Sequence, residues 1–448
     1  MDADLPSNKV NMEQQDKAST PHPAYTGLEI KRDVYRAVYG GTDTIRAAST
    51  TYLPKYPGEG DDYKDRLAAS TIDGLVAGGV DQLCGSVFEG EIDTTGVKLD
   101  KKLLENIDNK GNHFNIFARD AFEASFEGCS LILVDMPTGK AEDFEQQQKL
   151  GLRPYLNLYT AANVINWRYQ VNPVSKQKEL VLLVLKEVSA EPKGRFLTEN
   201  VTRYRVFAFE NGVIIWELWK EVKQAVNGLE LILEDTGTVE KVTAIPAVFI
   251  GDVLDDPKLL VESRLEIKAY QKESSFDVIE YLSIPTFFTK GYEGEEQLKL
   301  GSSVHVKLPL EGDVGFAQID SAGLDSLKAT IRETKDYIKS RVNYLVDSAG
   351  PYKTATEVVV ADKDKQARLV VWADELKDAL ETALMYMGQF VGLGEDGAGE
   401  IALRTKWVVA AEQAAENKQL EMERHAAEIG KMKTGAMNNE TRIHSNNE

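Results

Sequence analysis

From Leu28 to Cys129 the apolar positions recur at helical spacing. Ala68, Ile72, Leu75, Val76, Gly79, Val80 and Leu83 form one such series, and Phe114, Phe117, Ala121 and Phe122 another. Steps of three and four place these side chains on one face, which predicts amphipathic helices. Asp108-Asn109-Lys110-Gly111-Asn112 is a turn cluster between them. From Cys129 the character changes to short runs rich in Val, Ile, Leu, Tyr, Phe and Trp: Ser130–Asp135, Glu179–Val188, Val201–Glu210, Val213–Trp219 and Leu229–Glu234. Gly, Asn, Pro and Lys punctuate them, a pattern expected of antiparallel sheet and not of repeated βαβ units. Residues 1–26 carry almost no apolar content and are expected to form a mobile arm. The polar stretch Lys140–Leu150 is expected to be an exposed loop.

Further along, Asp256-Pro257 is expected to open a helix, with Asp as cap and Pro at the first helical position. Pro285 ends it, giving about 42 Å of helix over 257–284 at 1.5 Å per residue. Residues 285–321 hold several glycines and read as a small strand-and-turn insertion. A second helix is expected over 322–345, broken from a third by Gly350-Pro351. The third begins at the capping-box pattern Thr354-Ala-Thr-Glu357. Leu369, Ala373, Leu376, Leu380, Ala383, Met387 and Phe390 give it an apolar seam suited to a partner helix. A Gly-rich turn, a short strand at Ile401–Trp407, a polar helix to about Ile429 and a disordered tail over 436–448 complete the expectation.

At 448 residues the chain is long enough for about three domains. Its formal charge of −20 repels phosphate and argues against sequence-specific nucleic-acid binding by the whole surface. Two cysteines, Cys84 and Cys129, make no disulfide framework and suit a reducing compartment. The polar N-terminus reads as lacking a secretory signal, and apolar runs such as Leu180–Leu185 are strand-sized, so no membrane partner is expected.

Catalytic chemistry has little support. His22, His113, His305, His425 and His444 lie far apart in sequence and away from either Cys, so no metal site is expected. Met136-Pro-Thr-Gly-Lys140 lacks the first Gly and the Ser/Thr of a phosphate loop. The acidic groups Asp61-Asp62, Asp255-Asp256 and Glu293/Glu295/Glu296 read as loop, cap and solvated turn. No catalytic, cofactor or metal residue is assigned, and no enzymatic activity is expected.

One charged pattern stands out. Lys328, Arg332, Lys335 and Lys339 fall within an arc of about 60° on the second helix. Beside them Leu324, Leu327, Ile331, Ile338, Val342 and Leu345 form an apolar stripe. The ridge is either a solvated flank balanced by Asp325, Glu333 and Asp336, or a basic line facing phosphate or an acidic neighbouring subunit.

Several strings resemble tailed-bacteriophage portal proteins: Tyr52-Leu-Pro-Lys-Tyr-Pro-Gly-Glu59 followed by Tyr63 and Arg66; Gly128-Cys-Ser-Leu-Ile-Leu-Val-Asp-Met-Pro137; and Arg153-Pro-Tyr-Leu-Asn-Leu-Tyr159 leading to Val164-Ile-Asn-Trp-Arg168. The order of parts from Ile245-Pro246 to Thr354-Ala-Thr-Glu357 agrees, and the similarity spans roughly residues 28–435. The resemblance implies an α+β portal-type fold. Its parts are a helical and antiparallel-β wing over 27–256, a two-helix stem at 257–284 and 322–345, and a small α/β clip at 285–321. A tunnel loop follows at 346–353 (Asp347, Ser348, Ala349, Gly350, Pro351, Tyr352), then a long wing-to-crown helix at 354–391 and a helical crown at 392–435.

It also implies a homo-oligomeric ring, usually of twelve subunits, at one capsid vertex of the virion, assembled in the host cytoplasm. Double-stranded DNA would pass through it without sequence preference, and terminase, major capsid protein and head–tail adaptor proteins would be its partners. Within that reading an acidic lumen keeps DNA from sticking, because charges within about 8–10 Å are weakly screened. The alternatives are a phage-associated hydrolase or nuclease on an α+β scaffold, or another ring-forming head–tail adaptor.

Overall fold

The computed structural model describes residues 17–137, 152–174, 176–224, 228–291, 311–317, 322–346, 367–394 and 399–406, together with Val408, Gln419, Leu420 and Met422. In chain order the main helices are α1 (Tyr25–Tyr39), α2 (Gly41–Ala48), α3 (Asp62–Ala69), α4 (Leu75–Val87), α5 (Lys101–Glu105) and α6 (Phe114–Ala124). Strands β1 (Ser130–Asp135), β2 (Tyr155–Thr160), β3 (Val164–Val171), β4 (Lys178–Pro192), β5 (Thr198–Glu210), β6 (Val213–Gln224), β7 (Gly228–Val239) and β8 (Ala247–Ile250) follow. Then come α7 (Leu260–Leu282), β9 (Thr286–Lys290), β10 (Asp313–Ala317), α8 (Ala322–Val346) and α9 (Ala367–Phe390). The protein is α+β, with every ladder antiparallel.

The chain divides into two compact units. The first is drawn from Met1–Asp33, Val80–Lys258 and Asn343–Glu448. It holds a three-stranded sheet of order β2-β1-β8 and a five-stranded meander β3-β4-β5-β6-β7. Strand β1 is buried along Ser130–Val134, which explains why Leu-Ile-Leu-Val reads as a continuous apolar run and not as an alternation. Leu131 and Leu133 join Trp167, Leu183, Leu185, Phe207 and Ile214 in one core, and α6 and α9 also pack against β1. Asn211-Gly212 connects β5 to β6 with both residues at positive φ, the tight hairpin turn that Asn-Gly favours.

The seam on α9 is buried, with Leu369, Leu376, Leu380, Ala383 and Met387 at zero exposure. Its cover is a partner helix only in part: α9 lies against α6 and also against strands β8 and β1, and Phe126 meets Trp372 edge-on at 5.7 Å. A sheet face accepts the same apolar stripe as a helix, so spacing alone does not choose between them.

The expected arm over 1–26 also needs correction in its described part. His22 donates its backbone N–H to Ile165 O at 2.8 Å and stacks on Trp167 at 4.1 Å. Tyr25 Oη donates to Ala162 O, so residues 17–26 are docked along β3. Asp256 does not cap a helix. It pairs with Lys31 at 2.7 Å, and α7 starts at Leu260 without a side-chain cap. The expected strand at Ile401–Trp407 is a single bridge between Asp93 and Ala402. Ile401 N–H, on the side away from Asp93, goes to the Glu381 carboxylate at 2.9 Å. Beyond the bridge, among the described residues, only the backbone N–H of Gly90 reaches this segment, at Arg404 O.

The second unit comprises Val34–Gly79 and Leu259–Val342. It contains the helices α7 and α8, which flank the β9–β10 hairpin in the chain, and the N-terminal helices α2 and α3. The hairpin corresponds to the ends of the expected 285–321 insertion. Its centre, the loop over 346–353, the pattern at Thr354–Glu357, most of the helix expected to Ile429 and the 436–448 tail lie outside the described residues.

Candidate functional site

The two long helices of the second unit carry the candidate residues. Ile331, Ile338 and Val342 are buried on one side of α8, as a stripe of three- and four-residue steps requires. The four expected ridge cations do not stay together. Lys328, Arg332 and Lys339 are exposed, and Arg332 reaches Asp336 at 3.7 Å along its own helix. Lys335 turns inward, bound to Asp73 at 2.6 Å and to Glu273. Burial disfavours its charge, but the two carboxylate hydrogen bonds outweigh that and hold its pKa above the ordinary lysine value. Burial raises the Glu273 carboxyl, and Asp73 beside it adds to the rise against the pull of Lys335. A basic strip of three cations remains, with Lys335 removed from it as a structural ion pair. Asp347, Ser348, Ala349, Gly350, Pro351 and Tyr352 lie outside the described residues.

Further polar ties organise this unit. Arg341 Nε donates to Glu262 at 2.5 Å. The buried Glu266 accepts the backbone N–H groups of Leu75 and Val76 at 2.7 and 2.8 Å, so a side chain of α7 serves the N-terminal amides of α4. Gly74 at φ +74° breaks the helical run that apolar spacing predicted from Ala68 to Leu83.

The string Tyr52–Glu59 with Tyr63 and Arg66 resolves into one polar knot. Arg66 holds Glu59 with two bonds of 2.6 and 2.7 Å, Pro54 O at 2.8 Å and Ser274 Oγ at 3.2 Å. The Tyr56 ring lies 4.2 Å from its guanidinium. The side-chain bond to Arg66 lowers the Glu59 pKa. Four of the five N–H donors of this buried arginine are spent on the fold, so the string reads as a structural lock and not as a ligand site.

Elsewhere in this unit several large apolar side chains are exposed. Tyr281 is 74% exposed, and Leu282, Ile284, Phe288 and Phe316 are exposed as well. These residues cluster in sequence around the end of α7 and the β9–β10 hairpin, where Phe287 and Phe316 stack edge-on at 5.5 Å. Phe316 pairs with Phe287 on one face of the hairpin and Phe288 points to the other, so large apolar side chains stand exposed on both faces, a mark of an interaction element. The periodicity of α7 hides it, because its apolar residues are spread around the helix without one dominant stripe.

In the first unit Cys84 and Cys129 are buried free thiols, each pushed up to about 12 by burial, which makes them poor nucleophiles at neutral pH. Among the described residues no group of three or more His, Cys, Asp or Glu is arranged to hold a metal ion. No helix among them is long and apolar enough to cross a membrane. Residues 261–391 match a family described as a domain of unknown function (DUF4055), a domain found in phage-type proteins. The match covers both long helices, the hairpin between them and α9. No curated protein matches the chain.

Proposed function

We propose that this chain is the portal protein of a tailed phage, a ring-forming channel at one capsid vertex through which double-stranded DNA is packaged and ejected. The observation that carries the reading is the exposed apolar surface around the end of α7 and the β9–β10 hairpin. It lies inside the segment that matches a domain of phage-type proteins. A protomer that works alone has little reason to leave Tyr281, Leu282, Ile284, Phe288 and Phe316 in water, whereas a head-to-tail ring covers such a face on every copy.

In this reading the two helices are the stem and the hairpin is the base of the clip that meets terminase and later the adaptor and tail proteins. The first unit supplies the contacts to the major capsid protein. The ring reports no chemistry of its own and acts by shape and charge. Its formal charge of −20 per chain keeps DNA from settling, and Lys328, Arg332 and Lys339 soften that repulsion along one strip.

The test is assembly of the full-length chain with and without Leu282→Asp and Phe316→Asp. Both side chains are exposed in the protomer, so the variants fold, and an unpaired charge in a covered face opposes association. Rings from the parent and monomers from the variants are expected. Parent chains that stay monomeric at every concentration overturn the proposal.

A further inference from the structure

We propose that the first unit carries a matched knob and socket by which one copy of the chain grips the next. The inference rests on the ring reading and deepens it by naming a contact. The knob is the β4–β5 turn. Strand β3 pairs with β4 only as far as Leu185, and β6 pairs with β5 only from Arg203 onward. The β4–β5 ladder continues to Pro192 opposite Thr198. The outer five residues of β4, from Val188 to Pro192 opposite Thr202 to Thr198, therefore form a two-stranded ribbon about 17 Å long without a flanking strand. Its base is pinned by Arg203, which binds Glu191 and Glu234 at 2.5 Å each. Lys193 N–H closes the tip onto Leu197 O at 2.8 Å. At that tip Phe196 is 90% exposed and Leu197 61%, with the Arg195 guanidinium 5.0 Å from the Phe196 ring centroid. A bare ribbon is marginal in water, and a basic aromatic tip on it has the composition of an interface anchor.

The socket is a cavity of about 450 Å³ in the same unit, walled by Phe207, Trp216 and Leu218 and rimmed by Asp135, Asp235 and Glu240. Trp216 forms a fixed wall because it lies on Gly237, where a Cβ would come within 2.8 Å of its Nε1. The two cations that line the cavity are engaged. Arg205 binds Glu187 at 2.7 Å and Asp135 at 3.5 Å, and Lys241 Nζ donates to Phe390 O at 3.1 Å. Asp235 and Glu240 are exposed, with no ion pair among the described residues. The cavity thus offers aromatic walls and free negative charge, the complement of Arg195 and Phe196.

The occupant is a second copy of this chain. The knob cannot enter its own socket, because Thr198 beside the tip and Phe207 in the wall are nine residues apart on one extended strand, about 30 Å. Knob and socket are different surfaces of one protomer, so the contact is heterologous and propagates from copy to copy until rotation closes a ring. At −20 per chain copies repel, and a local meeting of Arg195 with carboxylates is what such a contact needs.

The experiment measures the mass of full-length protein against concentration for the parent, Arg195→Glu and Asp235→Arg, with folding checked by circular dichroism. Both positions are exposed. Each variant alone is expected to raise the concentration of half-assembly about tenfold or more. A one-to-one mixture of the two is expected to recover the parent value, because every knob then finds a socket of opposite charge. Parent rings that persist unchanged in both variants overturn the knob contact and leave the ring standing. Variants that weaken assembly without recovery on mixing also overturn the pairing, since the tip then meets some other surface. A parent that never assembles overturns the ring and the contact together.

Discussion

Replacing Lys335 separates a structural cation from a surface one. Its side chain keeps 19% of its exposure, and Asp73 and Glu273 keep 35% and 28%. Lys335→Gln leaves two carboxylates facing each other across a half-buried gap. A hydrogen bond to a charged partner contributes about 1.5–3 kcal/mol, while fully buried pairs cost more to break and surface pairs much less. The partial exposure here places the loss at about 1.5–3 kcal/mol. Arg332 is 84% exposed and 3.7 Å from Asp336, so Arg332→Gln is expected to cost at most about 0.5 kcal/mol. The assay is urea unfolding with hydrogen exchange read on α8.

Lys335 also carries a pH signature. Its folded pKa lies above the unfolded value, near 10.4 for a free lysine, so its contribution is complete below about pH 10. That contribution disappears as pH rises through the folded value. The gap between parent and Lys335→Gln is therefore constant near neutrality and closes in strong alkali. Equal unfolding midpoints for parent and Lys335→Gln at pH 7, or an equal loss from Arg332→Gln, would refute the assignment.

Other outcomes follow from single sites. Leu376→Ala removes a side chain at zero exposure and is expected to destabilise the first unit by about 3–5 kcal/mol, seen as a lower thermal midpoint. Gly399→Ala forces a Cβ to within 1.8 Å of Gly96 O at a φ of +80°. Faster amide exchange at Asp93 and Ala402 is expected, and unchanged protection there would contradict the close approach. The lowered Glu59 pKa adds stability above the unfolded carboxyl value near 4.3, and that stability is lost as pH falls through the folded one. Acid titration of Glu59→Gln should accordingly show a flatter loss than the parent.

The elements that follow from local chemistry were legible in the sequence. Leu131–Val134 reads as a buried strand, Val201–Glu210 and Val213–Trp219 as neighbouring strands, and 322–345 as a helix, because each needs only near neighbours. The errors come from partners distant in sequence. The four-residue steps of the cation ridge are real, but Asp73 and Glu273 remove Lys335 from it, and nothing near position 335 announces them. The α9 seam reads as an apolar stripe, and the sequence is silent on the β1–β8 strands that cover it alongside helix α6. Asp256 has the chemistry of a cap, yet Lys31 competes for its carboxylate. The knob at Phe196 and the socket at Trp216 were missed for a different reason. Both depend on where ladders stop, and the signals available, a Gly-Arg-Phe-Leu turn and Gly237 within a strand, are weak without the register.

The central claim is that the chain works as a ring. The most direct measurement is the mass of the purified full-length protein by light scattering, with negative-stain imaging of the same sample. The account predicts a closed ring with a central channel, near 600 kDa if twelve copies of the 49.7 kDa chain assemble. A monodisperse monomer near 49.7 kDa at every concentration would contradict it.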